Sequence, residues 1–361
     1  MMLLIVLALV CLLIVTILLV WATYRLAPVL SGTKHAALIF APHELRANEI
    51  VFVLIMLVMK SAYSQIWGLQ SRAHTTQPAS ELSISAPFRI EKKDLARYQQ
   101  TVGGETTIPN SLITGHSLAL FLSALTEPAM LLLLASPACS ISPLGAVNVR
   151  NRFELLRPDL CALENFSGQN AAAVVARLRN ERRIVKRGIE HDLEVCVLVP
   201  QSRSNLVPVF RQIFTMLELV KTVSVQRGEQ DARNLKRTTT SPSAASPIAI
   251  SFTENEPWRW AALCKDYNLI HLSGFAAEAF GLPGKLAHGN HVVAKALQKL
   301  LDKAKLRSQS DIPIWLEVHF KRPIVVPCSL QINVRPAWHI LSGFTVNSKR
   351  GESVIVEYGP L

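Results

Sequence analysis

Apolar residues fall along this chain in long blocks, and the blocks differ in kind. The run from Met1 to Tyr24 contains no charged side chain and is about the length of a membrane-crossing helix. It lacks the basic leader, shorter apolar core and small-residue cleavage site of a secretory signal, so an uncleaved anchor over residues 1–24 is expected. Arg25, Lys34 and Arg46 follow it, and the positive-inside rule places the remainder in the cytosol. A second block, Ile50 to Met59, is bounded by Glu49 and Lys60. Its ten residues fall short of a span, so an interfacial or re-entrant helix is expected, with a second crossing as the alternative. The third block, Ser117 to Ser136, is interrupted by Glu127-Pro128 and predicts a buried core helix. The fourth is periodic. Val292, Val293, Ala296, Leu297, Leu300 and Leu301 recur at helical spacing, with Lys295, Lys299 and Lys303 on another face.

Polar stretches separate the blocks. Ser71 to Leu82 and Arg227 to Ile248 have the composition of linkers, the second charged and then Thr/Ser/Pro-rich. Strand-like runs occur at Leu144–Asn151, Pro313–Phe320, Ile324–Val334 and Ser353–Tyr358. Thr253, Glu256 and Pro257 make a helix-start pattern leading to Trp258 and Trp260, which are assigned to the core. The parse is an anchor (1–24), a membrane-proximal segment and linker (25–85), a first domain (86–226), a linker (227–248) and a second domain (249–361).

Composition narrows the partners. The 361 residues are half hydrophobic and carry a formal net charge of +12. Part of the excess is the run Arg177, Arg179, Arg182, Arg183, Lys186 and Arg187, read first as a solvated strand or hairpin edge. A docking face for phosphates, an acidic carrier or lipid headgroups is the alternative. No aromatic-interleaved basic motif or groove-reading helix points to nucleic acid. The six cysteines form no CxxC pair and no dense framework, which suits a reducing compartment, although Asn165-Phe166-Ser167 is a glycosylation sequon.

The candidate chemistry lies between Cys264 and Leu301. Asp266, Asn268 and His271 put an acid, an amide and an imidazole in one short run. After Gly281-Leu282-Pro283-Gly284 come Ala287-His288-Gly289 and the periodic helix, so Gly289 stands at a helix mouth, where free N–H groups favour a negative oxygen. Such parts suit proton transfer next to a carbonyl. Taken alone, Asp266 and Asn268 also suit turn caps. His288 and His291, three apart, show no ligand spacing of a standard zinc motif, and no metal is expected. Cys264 is expected to be a buried thiol rather than a nucleophile.

These blocks resemble the signature of the MaoC-like hydratases and dehydratases: Asp-x-Asn-Pro-[Ile/Leu]-His, then Gly-x-Pro, then [Ala/Leu]-His-Gly. Asp266, Asn268, Ile270, His271, Gly281, Pro283, Ala287, His288 and Gly289 match, and Leu269 stands where the family usually has proline. The region 86–226 is weakly similar to the non-catalytic half of double hot-dog dehydratases, through Glu127-Pro128-Ala129-Met130, Leu144–Asn151 and Arg187-Gly188-Ile189-Glu190. The resemblance implies an α+β double hot-dog fold, two antiparallel sheets each wrapping a central helix. It implies reversible hydration of trans-2-enoyl thioesters to (3R)-3-hydroxyacyl thioesters, carried by coenzyme A or acyl carrier protein. By the same resemblance Asp266 and His271 are the catalytic pair, Asn268 supports them, Gly289 N–H is the oxyanion donor, and His288 is structural. No cofactor is implied, and a homodimer is open. A hot-dog thioesterase and a catalytically silent acyl-thioester-binding protein are the alternatives.

Overall fold

The computed structural model describes Thr16 and residues 20–66, 81–103, 115–167, 172–202, 205–219, 248–303, 312–338 and 341–361. A helical stretch over 20–30 leads into the first half. That half contains β1 (His35–Ala37), α1 (Ala47–Ile66), β2 (Leu82–Pro87), α2 (Lys92–Val102), α3 (Gly115–Ala135), β3 (Ala146–Leu155), β4 (Ala173–Val185), β5 (Gly188–Ser202) and β6 (Asn205–Leu219). The second half contains β7 (Ile248–Phe252), α4 (Glu256–Cys264), α5 (Leu269–Leu272), α6 (Gly274–Ala279), α7 (Gly289–Asp302), β8 (Ile314–Phe320), β9 (Cys328–Trp338), β10 (Leu341–Ser348) and β11 (Gly351–Pro360).

The described strands make one sheet in the order β1-β2-β4-β5-β6-β3-β8-β11-β10-β9-β7. Set β1 aside and the same topology appears twice. Each half places its first strand outermost (β2, β7), then a three-strand antiparallel meander, then its second strand innermost (β3, β8). The halves meet where β3 pairs antiparallel with β8, Arg150 opposite His319 and Leu155 opposite Ile314. Each half-sheet curls round one long helix. The first is α3, apolar on all sides and buried along nearly its whole length. The second is α7, which buries Val292, Val293, Ala296, Leu297 and Leu300 and carries Lys295, paired with Glu256, on another face. This is a double hot-dog.

Charges on the outer face bind the seam. Arg152 Nη1 lies 3.4 Å from Glu317 Oε2 and its Nε 2.7 Å from Glu154, while its guanidinium stands 4.9 Å over the Trp315 ring. The basic run of the sequence does not form one patch. Arg183 forks onto Asp192 (2.7 and 2.8 Å) and reaches Glu190, Arg182 bonds Ser140, and Arg187 turns to the cavity described below.

Two expectations for the N-terminal region are corrected. Residues 25–85 are not merely a membrane-proximal linker. Leu26, Val29, Leu38, Phe40, Leu45 and Val53 join the core, and β1 adds parallel to β2, with His35 opposite Ser83. The second apolar block is not a ten-residue segment but lies within the twenty-residue α1. Its flanking charges hid that length, because both are satisfied inside the helix. Glu49 is buried against Arg25 at 2.7 Å. Lys60 Nζ donates to the carbonyls of Leu134 (2.6 Å) and Ser136 (3.1 Å), closing the C-terminal end of α3. Two described helices are long and apolar enough to cross a membrane, Ala47–Ser64 and Gly115–Ala135; the second is the core helix of the first half. Most of the expected anchor and both expected linkers lie largely outside the described residues.

Two buried histidines couple the fold to pH. His116 lies edge-on to Tyr358, and His291 stacks on Trp260 while its Nε2–H donates to the Thr101 carbonyl at 3.1 Å. Burial pushes their pKa values down to about 4 and about 3. Both stay neutral when folded and take up protons on unfolding below pH ~6.5. The unfolded chain therefore binds more protons between those folded values and pH ~6.5, and stability falls as pH drops through that window. The melting temperature should fall between pH 7 and pH 5, and His291→Gln should flatten that slope.

Candidate active site

The site begins where α4 ends. Lys265 takes a left-handed conformation (φ 59°) as its cap, its N–H bonded to the Ala261 carbonyl at 2.8 Å, and this reversal leads into Asp266. Asp266 Oδ1 accepts the Asn268 N–H at 3.1 Å. Asn268 in turn caps the single turn of α5, its Oδ1 accepting the Ile270 N–H at 3.4 Å. Asp266 therefore holds its turn through Oδ1 while lining the cavity described below. The departure at Leu269 is benign. Leu269 occupies the first position of α5, where proline is favoured because the N–H is dispensable, and the capping bond goes to the next residue.

His271 sits on α5, and its Nδ1 lies 3.1 Å from the Leu286 carbonyl. A carbonyl only accepts, so Nδ1 carries the proton and Nε2 is left with its lone pair. The His288 ring stacks on it, centroids 3.8 Å apart at 23°. His288 Nε2–H donates to the Asp266 carbonyl at 3.1 Å, tying the loop to the start of α7. Burial pushes both imidazoles below their ordinary pKa; the Asp266 charge opposes this at His271, while the His271 neighbour adds to it at His288. The pair is therefore neutral, and His288 acts as a backing for His271. One ligand atom from each of Asp266, His271 and His288 lies within 4.8 Å of the others. The five-residue separation of Asp266 and His271 is thus closed by the turn. Spacing along the chain did not show that the three side chains converge, nor that His291 stays apart from them.

Gly289 is the first residue of α7, with its N–H at the open end of the helix and its backbone on the cavity wall. The neighbours fix it. Leu286 N–H bonds the Ile270 carbonyl and Ala287 N–H the Ile324 carbonyl, each at 2.9 Å. A Cβ here would collide with the edge of the Phe320 ring, so any larger residue forces that ring to move. The next residue, Asn290, reaches into the first half. Its Oδ1 accepts from Asn151 Nδ2 on β3 at 2.7 Å, and its Nδ2 donates to Ser123 Oγ on α3 at 3.4 Å.

The sequence reading missed Glu127. It took this residue as an interruption in an apolar run, yet it is buried on α3 and lines the same cavity as Asp266, His271 and Gly289. Burial first, and the Asp266 charge second, raise its pKa well above the carboxylate range, against hydrogen bonds to Asn290 and Cys264. A protonated acid thus faces the site from the other half. No local signal in the sequence places it there, because only the pairing of the halves brings α3 to this loop. Cys264 is fully buried, and burial raises its thiol well above its usual range, which leaves no nucleophile. Trp260 is core, whereas Trp258 is half exposed beside Tyr267.

The cavity measures about 780 Å³, within the range of small-molecule sites. Gly289→Ala should destabilise the protein by about 1–3 kcal/mol through overpacking against Phe320. Adding Phe320→Ala should recover part of that loss, because the two changes share one space. Denaturant melts of the single and double variants read this directly.

No protein-family model matches the chain. It is 26% identical over 211 residues to 3-hydroxyacyl-thioester dehydratase X of Mycobacterium tuberculosis, spanning 58% of this chain and 67% of that protein. The crystal structure of HtdX from the same organism matches with a TM-score of 0.57 at 21% identity, over 77% of this chain and 100% of that one. A MaoC-like dehydratase from Phytophthora capsici matches with a TM-score of 0.55 at 15% identity, over 78% and 95%. The peroxisomal multifunctional enzyme type 2 of Drosophila melanogaster matches with a TM-score of 0.53 at 13% identity, over 77% and 48%.

Proposed function

We propose that this chain, a double hot-dog protein homologous to a 3-hydroxyacyl-thioester dehydratase, is itself a hydro-lyase that reversibly hydrates trans-2-enoyl thioesters to (3R)-3-hydroxyacyl thioesters. The observation that carries the reading is the convergence of Asp266, His271 and the Gly289 N–H on one cavity wall. A water held between the Asp266 carboxylate and His271 Nε2 adds its oxygen to Cβ. The π electrons move toward the thioester carbonyl, whose developing negative charge meets the Gly289 N–H at the helix start. The pair takes one proton from the water and returns one to Cα, so the elements of water are added and nothing else is consumed. Dehydration runs the same steps backwards. Asn268 serves by capping α5 and so setting the direction of His271. Phosphates of the carrier, whether coenzyme A or acyl carrier protein, are met by Arg187, Lys321 and Arg322 around the same cavity.

Asp266→Asn tests the assignment. The amide keeps the size and one accepting oxygen, so the turn is retained, but it removes the charge and the basicity. Turnover of a trans-2-enoyl-CoA should fall by on the order of a hundredfold or more with the melting temperature nearly unchanged. His271→Ala should cost a comparable factor and the double variant little more, since residues acting as a unit are not additive. Full activity in Asp266→Asn would reduce Asp266 to a cap.

The same proposal places the protein at a membrane. The uncharged run Met1 to Tyr24 supplies a single-pass anchor, with the double hot-dog on the cytosolic side, supported by Arg25, Lys34 and Arg46. Alkaline carbonate should leave the full-length protein with the membrane, and release into the soluble fraction would remove the anchor.

A further inference from the structure

The cavity at Asp266 and His271 extends beyond what the chemistry needs, and α1 forms part of its wall. Leu54 and Val58 of α1 line it, as do Met130 and Leu134 of α3 and Val147 of β3. Between Glu49 and Lys60, each of which is used at one end, α1 carries no charge. Its inner face joins the core through Val53, while Val51, Ile55, Val58 and Met59 are about half exposed or more, and all four also line this cavity. A helix apolar all round but packed on one side leaves its other side for an apolar occupant.

Resting on the hydratase reading above, we infer that the occupant is the acyl chain of the substrate, that the enzyme is selective for long-chain thioesters, and that α1 is the element setting chain length. The continuity of one cavity from the Asp266–His271 pair to α1 carries this assignment. The span supports it. Ile50 and Met59, both lining residues, are separated by nine helical rises, about 14 Å. A fully extended polypeptide advances roughly 1.2 Å per backbone bond, and an extended carbon chain is similar, so the α1 wall accommodates about a dozen carbons. Each methylene buried there should raise kcat/KM roughly threefold to fourfold until the wall is filled.

The test uses the full-length protein and trans-2-enoyl-CoAs of four, eight, twelve and sixteen carbons, each below its micelle-forming concentration. The wild type should show kcat/KM climbing by at least a hundredfold from four to twelve carbons. Val58→Glu, which sets a charge in the path on an exposed position, should cut the twelve-to-four ratio at least tenfold. A flat or falling profile in the wild type would overturn the inference while leaving the hydratase reading intact. No turnover at any length would instead overturn the hydratase reading. A steep wild-type profile that Val58→Glu leaves untouched would overturn the role of α1 as the acyl wall.

Discussion

The structure depends on a buried amide at the seam between its halves. Asn290 sits one residue inside α7, yet its side chain is spent on Asn151 and Ser123 of the other half. Unpaired, such a group would carry a desolvation cost of about 1–3 kcal/mol, so the pairing pins the start of α7 to α3 and β3. The neighbouring segment is fixed by the Leu286 and Ala287 backbone bonds and by the His288 bond to Asp266. With the surroundings this constrained, Gly289 is held at the start of α7 on the wall of the cavity. Preorganisation of this kind is what allows a single backbone donor to stabilise charge that exists only in the transition state.

The halves share one topology and divide the labour unequally. The second places Asp266, His271 and Gly289 on the cavity wall. The first supplies Glu127, the seam partners of Asn290 and much of the apolar wall. Its own buried acid–imidazole contact, His191 Nε2 to Glu218 Oε2 at 3.4 Å, does not line the cavity. Burial, and next the Asp266 charge, raise the Glu127 pKa well above the carboxylate range, so the two halves are coupled electrostatically at the cavity.

Much of this was legible in the chain, for identifiable reasons. The three signature blocks are local, and α7 announced itself because its apolar stripe repeats at helical period against lysines on another face. The core helix α3 was readable because its apolar run is long and a lone Glu-Pro does not end it. What failed was non-local. Glu127 looked like a helix defect until the sheet joined, and Glu49 and Lys60 looked like helix ends until Arg25 and the α3 carbonyls met them. The strand Leu341–Ser348 went unassigned for a different reason. Its polar and small residues (Ser342, Gly343, Asn347) dilute the alternation that Phe344 and Val346 keep on the inner face.

The β3–β8 seam has a bearing on how such a protein can be cut. Separated, the second half would expose β8 as an open sheet edge carrying Ile314, Leu316 and Val318 on its inner face, an invitation to pair with its own copy. Glu317 stands against that outcome. In the intact chain it lies opposite Arg152 and near Arg150 and His319, so its carboxylate is flanked by two guanidinium groups and an imidazole. In a symmetric β8–β8 pairing centred on the strand, two copies of Glu317 would face each other instead. The charge pattern on the outer face thus favours the covalent partner over the self-complementary one.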